Sequence, residues 1–188
     1  MTQRRFEEYV SEWRTKGHDW FVSQYTTAML VRCDHSAEEA AHQFATVELD
    51  IDGALAATRK DESLGDVFPV VKRAGAPFPE YIGVGRVSTC DIPIPLLRIS
   101  KFHAYISQNS EGAFTLADAS SKNGTWIDGK RLNAREPVAL GAIARVRFGQ
   151  HRFIFCTPEH FHELVARASA GCRHRQRNSP TSLSAQSC

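Results

Sequence analysis

The sequence predicts a mainly β protein, an antiparallel β-sandwich that follows an N-terminal helical extension and precedes a short C-terminal helix. Two observations predict the sandwich. From residue 67 to residue 156 the chain is a series of short apolar runs, many of them rich in β-branched and aromatic residues. Turn-forming residues separate the runs, as at residues 109–112 and at Asp128-Gly129, which is a typical hairpin turn. Many short strands joined by such turns indicate an all-β sandwich.

An amphipathic helix is predicted over residues 3–15. Phe6, Val10 and Trp13 recur there at helical spacing, with arginine and glutamate between them. Gly17 follows and ends the helix, since glycine is the usual residue just past a helix C-terminus.

The rest of the N-terminal extension leaves alternatives open. Residues 20–31 contain an apolar run that must be buried, and its pattern does not decide between helix and strand. Ser36 with Glu39 fits a capping box, which predicts a helix that begins directly after Ser36. The pattern of residues 44–55 fits either a helix or a strand. Polar residues at 59–66 form a plausible boundary with the sandwich.

The sandwich strands are predicted from the apolar runs between turns. They lie at residues 67–72, 81–86, 102–107, 113–116, 125–127, 143–148 and 152–156. Pro93 and Pro95 restrict the intervening segment 91–97 to an edge strand or a loop, because proline cannot donate to a central ladder.

A short helix is predicted to close the domain, because Pro158 suits a first helical turn and Phe161, Leu164 and Val165 share one face. The remaining tail is rich in serine, arginine and glutamine, which is typical of disorder. The predicted organisation is therefore an acidic, mainly helical extension at 1–66, a sandwich domain at 67–157, a closing helix at 158–168 and a disordered basic tail at 169–188.

Composition and charge restrict the class of protein. The 188 residues are 42% hydrophobic and 23% charged, which is typical of a globular protein. No apolar run is long enough to cross a membrane, and the charged N-terminus is unlike a secretory signal, so we expect no membrane insertion. The five cysteines lack a metal-type spacing, and a reducing cytoplasm is the simplest interpretation.

Charge is distributed unevenly along the chain. Residues 1–66 carry 7 basic and 13 acidic residues, whereas residues 67–165 carry 12 basic and 8 acidic ones. A basic central domain suits an anionic ligand. The four arginines after residue 165 can bind any polyanion weakly, which does not predict a specific nucleic-acid partner.

Three clusters between the predicted strands contain side chains that can hold an anion. The clusters are Gly-Arg at 85–86, Ser-Lys-Phe-His at 100–103 and Asp-Ala-Ser-Ser-Lys-Asn-Gly-Thr at 118–125. Arg86 offers a planar fork of donors that matches phosphate oxygens. Ser100 offers a hydroxyl group, and Asn123 offers an amide that both donates and accepts.

Together the three clusters resemble the forkhead-associated (FHA) domain, a β-sandwich that recognises phosphothreonine. The resemblance covers about residues 67–157, and the Gly-Arg, Ser-x-x-His and Ser-x-Asn-Gly-Thr signatures occur in the family's order. It implies that Arg86 and Ser100 contact the phosphate, with the main-chain N–H of Lys101 facing it. It also implies that Asn123 bonds the main chain of the bound peptide, and Lys122 lies where a basic side chain can reach the phosphate.

The resemblance further implies a set of residues that support the binding loops. His103 is expected to hold the loops through side-chain hydrogen bonds. Gly85 is expected to allow close backbone packing, and Gly124 to adopt a positive φ angle in the turn after Asn123. Ser121 is expected to bond nearby backbone groups, and Thr125 to support the loop.

The function that follows from the resemblance is a non-catalytic, phosphothreonine-binding adaptor in Ser/Thr-kinase-dependent signalling. Its expected partners are a phosphothreonine-containing protein or peptide and a Ser/Thr kinase or kinase substrate, with no cofactor. The alternative is a scaffold that uses the same fold as an assembly surface without phosphate.

Two other functions are less well supported by the sequence. An enzyme would pair Ser100 with His103, but the i, i+3 spacing in a loop does not give the geometry of an activated serine. A metal site would use His151, His160 and His162, but no cysteine or aspartate pattern completes four ligands. We therefore expect neither catalysis nor a bound metal.

Overall fold

The computed structural model describes residues 4–35 and 62–171, and over these two ranges the chain forms twelve strands and three helices. The strands are β1 (Arg4–Arg5), β2 (Met29–His35), β3 (Glu62–Pro69), β4 (Ile82–Gly85), β5 (Ile92–Pro93), β6 (Ala104–Gln108), β7 (Phe114–Asp118), β8 (Thr125–Ile127), β9 (Lys130–Arg131), β10 (Val138–Leu140), β11 (Ile143–Phe148) and β12 (His151–Cys156). The helices are α1 (Phe6–Lys16), α2 (His18–Gln24) and α3 (Pro158–Gly171). None of these described helices has the length and apolar character needed to cross a membrane.

The strands form two sheets packed face to face, which confirms the predicted mainly β sandwich. In the described ranges the larger sheet has seven strands in the order β1-β3-β2-β12-β11-β8-β9, and the smaller has five in the order β10-β7-β6-β4-β5. Neighbours are antiparallel except for β4 and the short edge strand β5, which are parallel. The two prolines near β5 explain why it is short and at the edge.

Alternation of apolar and polar residues places the core between the sheets. In β11, Ala144, Val146 and Phe148 are buried in this core, whereas Arg145 and Arg147 lie on the opposite face. The period of two is what a strand requires when one face is packed. The predicted bounds of this strand coincide with the observed ones for the same reason.

A second apolar core lies on the outer face of the larger sheet, beneath the helices. Phe6 and Tyr9 of α1, Phe21 of α2 and Phe161 of α3 form an aromatic cluster, and the Tyr9 and Phe161 ring centroids are 5.3 Å apart. The edge-to-face arrangement adds to the stability gained by burying these large rings. The N-terminal helices and α3 therefore pack against one another on the outer face of the larger sheet.

The apolar run at residues 20–31 proves to be half helix and half strand. Helix α2 ends at Gln24 and strand β2 begins at Met29. Leu30 faces the core between the sheets, whereas Met29 and Val31 face the core beneath the helices. Because both faces of β2 are buried at residues 29–31, this part of the strand lacks the polar alternation that would have distinguished it from a helix.

The structure corrects the boundary expected at residue 67, which falls inside β3. This strand begins at Glu62, and β2 lies between β3 and β12 in the larger sheet, so part of the expected helical extension is strand. The helix expected after Ser36, the ambiguous pattern at 44–55 and most of the expected disordered tail lie outside the described residues.

The end of the last helix and two short strands also differ from the prediction. Helix α3 continues to Gly171, three residues past its expected end at 168. The short strands β9 and β10 were missed, because β9 has two exposed residues and β10 has only one buried residue. Strands this short and this exposed carry no periodic signal.

Candidate functional site

The three sequence clusters meet at one end of the sandwich, and Ser100 joins them. The main-chain N–H of Arg86 donates to the Ser100 carbonyl oxygen at 2.9 Å. The main-chain N–H of Lys122 donates to the Ser100 hydroxyl oxygen at 3.1 Å. Loops that follow β4, β5 and β7 are thereby held against one another.

The Ser100 hydroxyl group retains the ability to donate. Its oxygen accepts the Lys122 N–H, while no described residue accepts its own proton. The neighbouring main-chain N–H of Lys101 likewise makes no hydrogen bond within residues 4–35 and 62–171. Two donors therefore lie side by side at the loop surface, available to an acceptor from outside the protein.

Arg86, Lys101 and Lys122 surround these donors with positive charge. All three side chains are exposed, and none forms a hydrogen bond or an ion pair with a residue that the structure describes. Like charges repel one another, so such a group of cations favours the approach of an anion. Together with Ser100 and Asn123 they form what we call the candidate anion site.

Asn123 is partly fixed by the protein itself. Its amide nitrogen donates to the Arg98 carbonyl oxygen at 2.7 Å, and Arg98 has a φ angle of 66°. This bond uses one of the two amide hydrogens, so the amide oxygen and the second hydrogen remain for a ligand. A positive φ angle is unfavourable for a residue with a side chain, and such strain is concentrated at functional sites.

His103 is buried beneath the site and links two of its loops. Its Nδ1 accepts the main-chain N–H of Ser100 at 3.0 Å, and its Nε2 lies 3.0 Å from the Gly124 carbonyl oxygen. Because Nδ1 is an acceptor, the proton belongs on Nε2, which then donates to Gly124. Burial lowers the pKa of His103 and so favours this neutral form.

The loop between β7 and β8 is organised by the buried carboxylate of Asp118. Oδ1 accepts the hydroxyl protons of Ser121 and Thr125, both at 2.6 Å, and Oδ2 accepts the main-chain N–H of Ser121 at 2.9 Å. The Ser121 hydroxyl oxygen in turn accepts the Gly124 N–H at 2.9 Å. The turn requires the positive φ angle of 80° at Gly124, which glycine adopts without strain.

Gly85 lets two of the loops cross in direct contact. A Cβ atom at this position would lie 2.2 Å from the Lys101 carbonyl oxygen and 2.9 Å from the Cys90 sulfur. Only glycine permits so close an approach of one backbone to another. All the residues that the sequence singled out for binding or loop support therefore lie in one connected cluster.

One further contact was not foreseen from the sequence. The Nε2 of His151 lies 2.8 Å from the Leu97 carbonyl oxygen and holds the loop that carries Arg98 and Ser100. The two residues are far apart in the chain, and the partner is a main-chain oxygen. No residue pattern marks such a bond in advance.

The histidines named for the catalytic and metal alternatives are bonded to other groups. Both ring nitrogens of His103 are bonded to main-chain groups, so the ring does not activate the Ser100 hydroxyl. His160 and His162 are bonded to Thr157 and to the Tyr25 carbonyl oxygen. Within the described ranges no three His, Cys, Asp or Glu side chains are grouped to hold a metal ion.

Comparison with known families identifies the part of the chain that forms this end of the sandwich. The model of the FHA domain family matches residues 82–149, the span that contains all three clusters. Residues 82–149 form an FHA domain. No match was found in the comparison with curated protein sequences.

Several solved FHA domains are similar in structure to the chain. The FHA domain of the CT664 protein from Chlamydia trachomatis is 18% identical, with a TM-score of 0.45 over 69% of this chain and 97% of that one. The N-terminal FHA domain of Rad53p from S. cerevisiae, in complex with a phosphothreonine peptide, is 17% identical, with a TM-score of 0.43 over 73% and 98%. A hypothetical protein of Arabidopsis thaliana has an FHA domain that is 20% identical, with a TM-score of 0.43 over 71% and 87%. The FHA assignment depends on the family match and not on these likenesses.

Proposed function

We propose that the FHA domain binds a phosphothreonine-containing peptide and that the protein is a non-catalytic adaptor in Ser/Thr-kinase-dependent signalling. The observation that carries the proposal is the candidate anion site itself. Three exposed cations surround the Ser100 hydroxyl and the Lys101 N–H, and no described carboxylate is paired with any of them.

The available donors match the chemistry of a phosphate group. A phosphorylated threonine carries close to two negative charges and three strong acceptor oxygens at neutral pH. The Arg86 guanidinium supplies a fork of donors, the Ser100 hydroxyl and the Lys101 N–H supply two short-range donors, and the lysine ammonium groups add charge. The loops are held by His103, so these donors are positioned before the ligand arrives.

Asn123 gives the proposed site a contact with peptide as well as with phosphate. Its remaining amide groups suit the alternating N–H and C=O groups of an extended main chain. A ligand that fits both places is a phosphorylated peptide segment, which supports an adaptor role downstream of a kinase. The cytoplasm is the proposed location, and the free thiols of Cys90 and Cys156 suit its reducing conditions.

Substitution of Arg86 by alanine tests the proposal. The change removes a charge-assisted and bidentate contact worth about 2–4 kcal/mol. We expect the affinity for a phosphothreonine peptide to fall by roughly 30- to 1000-fold, as measured by calorimetry with members of a degenerate phosphopeptide library.

Lys130→Ala is the matched control. It removes one exposed cation from β9 and leaves the three clusters unchanged, so its affinity should stay within about threefold of the wild type. Phosphopeptide binding that survives Arg86→Ala unchanged would contradict the site assignment. Equal affinity for the unphosphorylated peptide would instead favour a scaffold that needs no phosphate.

A further inference from the structure

Phe78 is presented to solvent in an unfavourable backbone conformation. It lies in the loop between β3 and β4, where its φ angle is 66° and its side chain is 46% exposed. Both features are unfavourable for a large aromatic residue, since its bulk disfavours positive φ angles and its ring gains by burial. Backbone strain of this kind persists only where the surroundings enforce it, and it is concentrated at ligand-binding positions.

An ion pair between Lys72 and the buried Asp91 enforces the conformation of this loop. The Lys72 ammonium group donates to the carbonyl oxygens of Pro77 and Tyr81, each at 3.1 Å, and to the Asp91 carboxylate at 2.8 Å. Asp91 is almost fully buried and also accepts the main-chain N–H groups of Arg73 at 2.7 Å and Gly83 at 2.8 Å. The loop is therefore fixed on both sides of Phe78.

Phe78 and Phe102 border an apolar groove on the outer face of the smaller sheet. Their ring centroids are 5.4 Å apart, and the groove has a volume of about 220 Å³. Gly83 contributes no side chain, and a Cβ atom there would lie 2.8 Å from the Phe102 ring. We call this space the Phe78 groove.

The Phe78 groove is continuous with the candidate anion site. Val87 and Lys101 line it, they directly follow Arg86 and Ser100 in the chain, and Lys101 belongs to both the groove and the anion site. Asn123 is not among the residues that line the groove, and its amide is bonded to Arg98, which precedes Ser100. A ligand anchored at Ser100 can therefore contact Asn123 and also reach past Lys101 into the groove.

We propose that the Phe78 groove binds a large apolar side chain, aromatic or aliphatic, of the same phosphopeptide that occupies the anion site. The inference rests on the proposed function and specifies the peptide class, a phosphothreonine flanked by an apolar residue that reaches the groove. The volume supports a single side chain, because pockets for whole small molecules measure about 300–1,000 Å³. The positive charge of Lys101 favours the phosphate, rather than the apolar side chain, at the anion site.

The test compares phosphopeptides that differ at one position. The full-length chain is titrated with a phosphothreonine peptide flanked by alanines, and with copies that carry leucine or phenylalanine at one of the three positions on either side. At one position we expect the apolar residue to tighten binding by about tenfold over alanine. Unphosphorylated copies of every peptide are titrated in parallel.

Phe78→Gly is the diagnostic variant, because glycine suits the positive φ angle and the fold should remain stable. We expect this variant to bind the alanine-flanked phosphopeptide as the wild type does and to lose the gain from the apolar residue. Val138→Ala is the control, since Val138 is another exposed apolar residue of the smaller sheet, at 36% exposure, and does not line the groove. It should retain the full gain.

The possible results separate the groove from the anion site. Phosphate-dependent binding with no preference for an apolar residue, or a preference that Phe78→Gly retains, would overturn the groove proposal alone. Self-association that depends on Phe78, without an effect on peptides, would assign this face to a second copy of the chain and also overturn it. Binding that shows no dependence on phosphate for any peptide would overturn both proposals.

Discussion

Substitution of His103 by alanine should weaken ligand binding and destabilise the fold together. The change removes a fully buried ring whose centroid is 5.5 Å from that of Phe148, so it leaves a cavity in the core. It also leaves the Ser100 N–H and the Gly124 carbonyl oxygen without the partners they have at 3.0 Å. Cavity formation and the loss of these two bonds together cost about 3–5 kcal/mol.

A loss of this size lowers the melting temperature of a chain of this length by about 6–20 °C. Thermal unfolding followed by circular dichroism measures the stability, and calorimetry with a phosphothreonine peptide measures the affinity. His151→Ala is the matched control, because it removes one bond to a main-chain oxygen from a partly exposed ring, at a cost of about 1 kcal/mol. An unchanged melting temperature with abolished binding would refute the supporting role and indicate that His103 contacts the ligand.

The same residue predicts the direction of a pH dependence. Burial lowers the pKa of His103 in the folded state below the value of about 6.5 in an unfolded chain. The unfolded chain therefore takes up a proton first as the pH falls, so the His103 contribution is complete above the unfolded pKa and is lost below it. Unfolding is measured at pH 5 and at pH 7.5 without ligand. From pH 7.5 to pH 5 the free energy of unfolding should fall less in His103→Ala than in the wild type. Equal losses in the two proteins would contradict this prediction.

Two further predictions concern the close contact at Gly85 and the N-terminal strands. Gly85→Ala should cost about 1–3 kcal/mol of stability and weaken phosphopeptide binding, because the added Cβ atom would overlap the Lys101 carbonyl oxygen. Gly141→Ala is the control and should change neither stability nor binding, because its Cβ atom would meet nothing closer than 3.2 Å. A chain that begins at residue 67 lacks β2 and should fail to unfold cooperatively in a denaturant titration. A chain that ends at Gly171 is the control, because it keeps every described element and should unfold cooperatively. A stable 67–171 fragment would show that the N-terminal strands are a separate unit.

The sequence predicted best the strands that have one buried face. Strands β8 and β11 have the predicted bounds, because turn residues limit both of them and apolar and polar residues alternate along most of β11. Strand β2 could not be distinguished from a helix, because helices cover its second face. Its position in the larger sheet depends on pairing with β12, and a pairing between distant segments has no local sequence signal.

The candidate site was predictable to the extent that its chemistry is carried by side chains. Arg86, Ser100 and Asn123 could be proposed because each residue type has a recognisable use in an anion site. The bond from Asn123 to the Arg98 carbonyl oxygen could not, because main-chain atoms are the same in every residue. The link between Lys72 and Asp91 that fixes Phe78 was missed for a related reason, since charged residues are frequent and no pattern shows which two will meet.

The pairing of β2 with β12 also determines when the protein can fold as it is made. Cys33 is paired with Arg152, and Met29 with Cys156, so these partners are more than one hundred residues apart in the chain. Until residues 151–156 have been synthesised, one edge of β2 has no strand beside it, and unpaired strand edges promote association between chains. Contacts between such distant segments also slow folding, because a long loop must close before they form. The nascent chain is therefore most at risk of aggregation late in its synthesis, just before β12 becomes available.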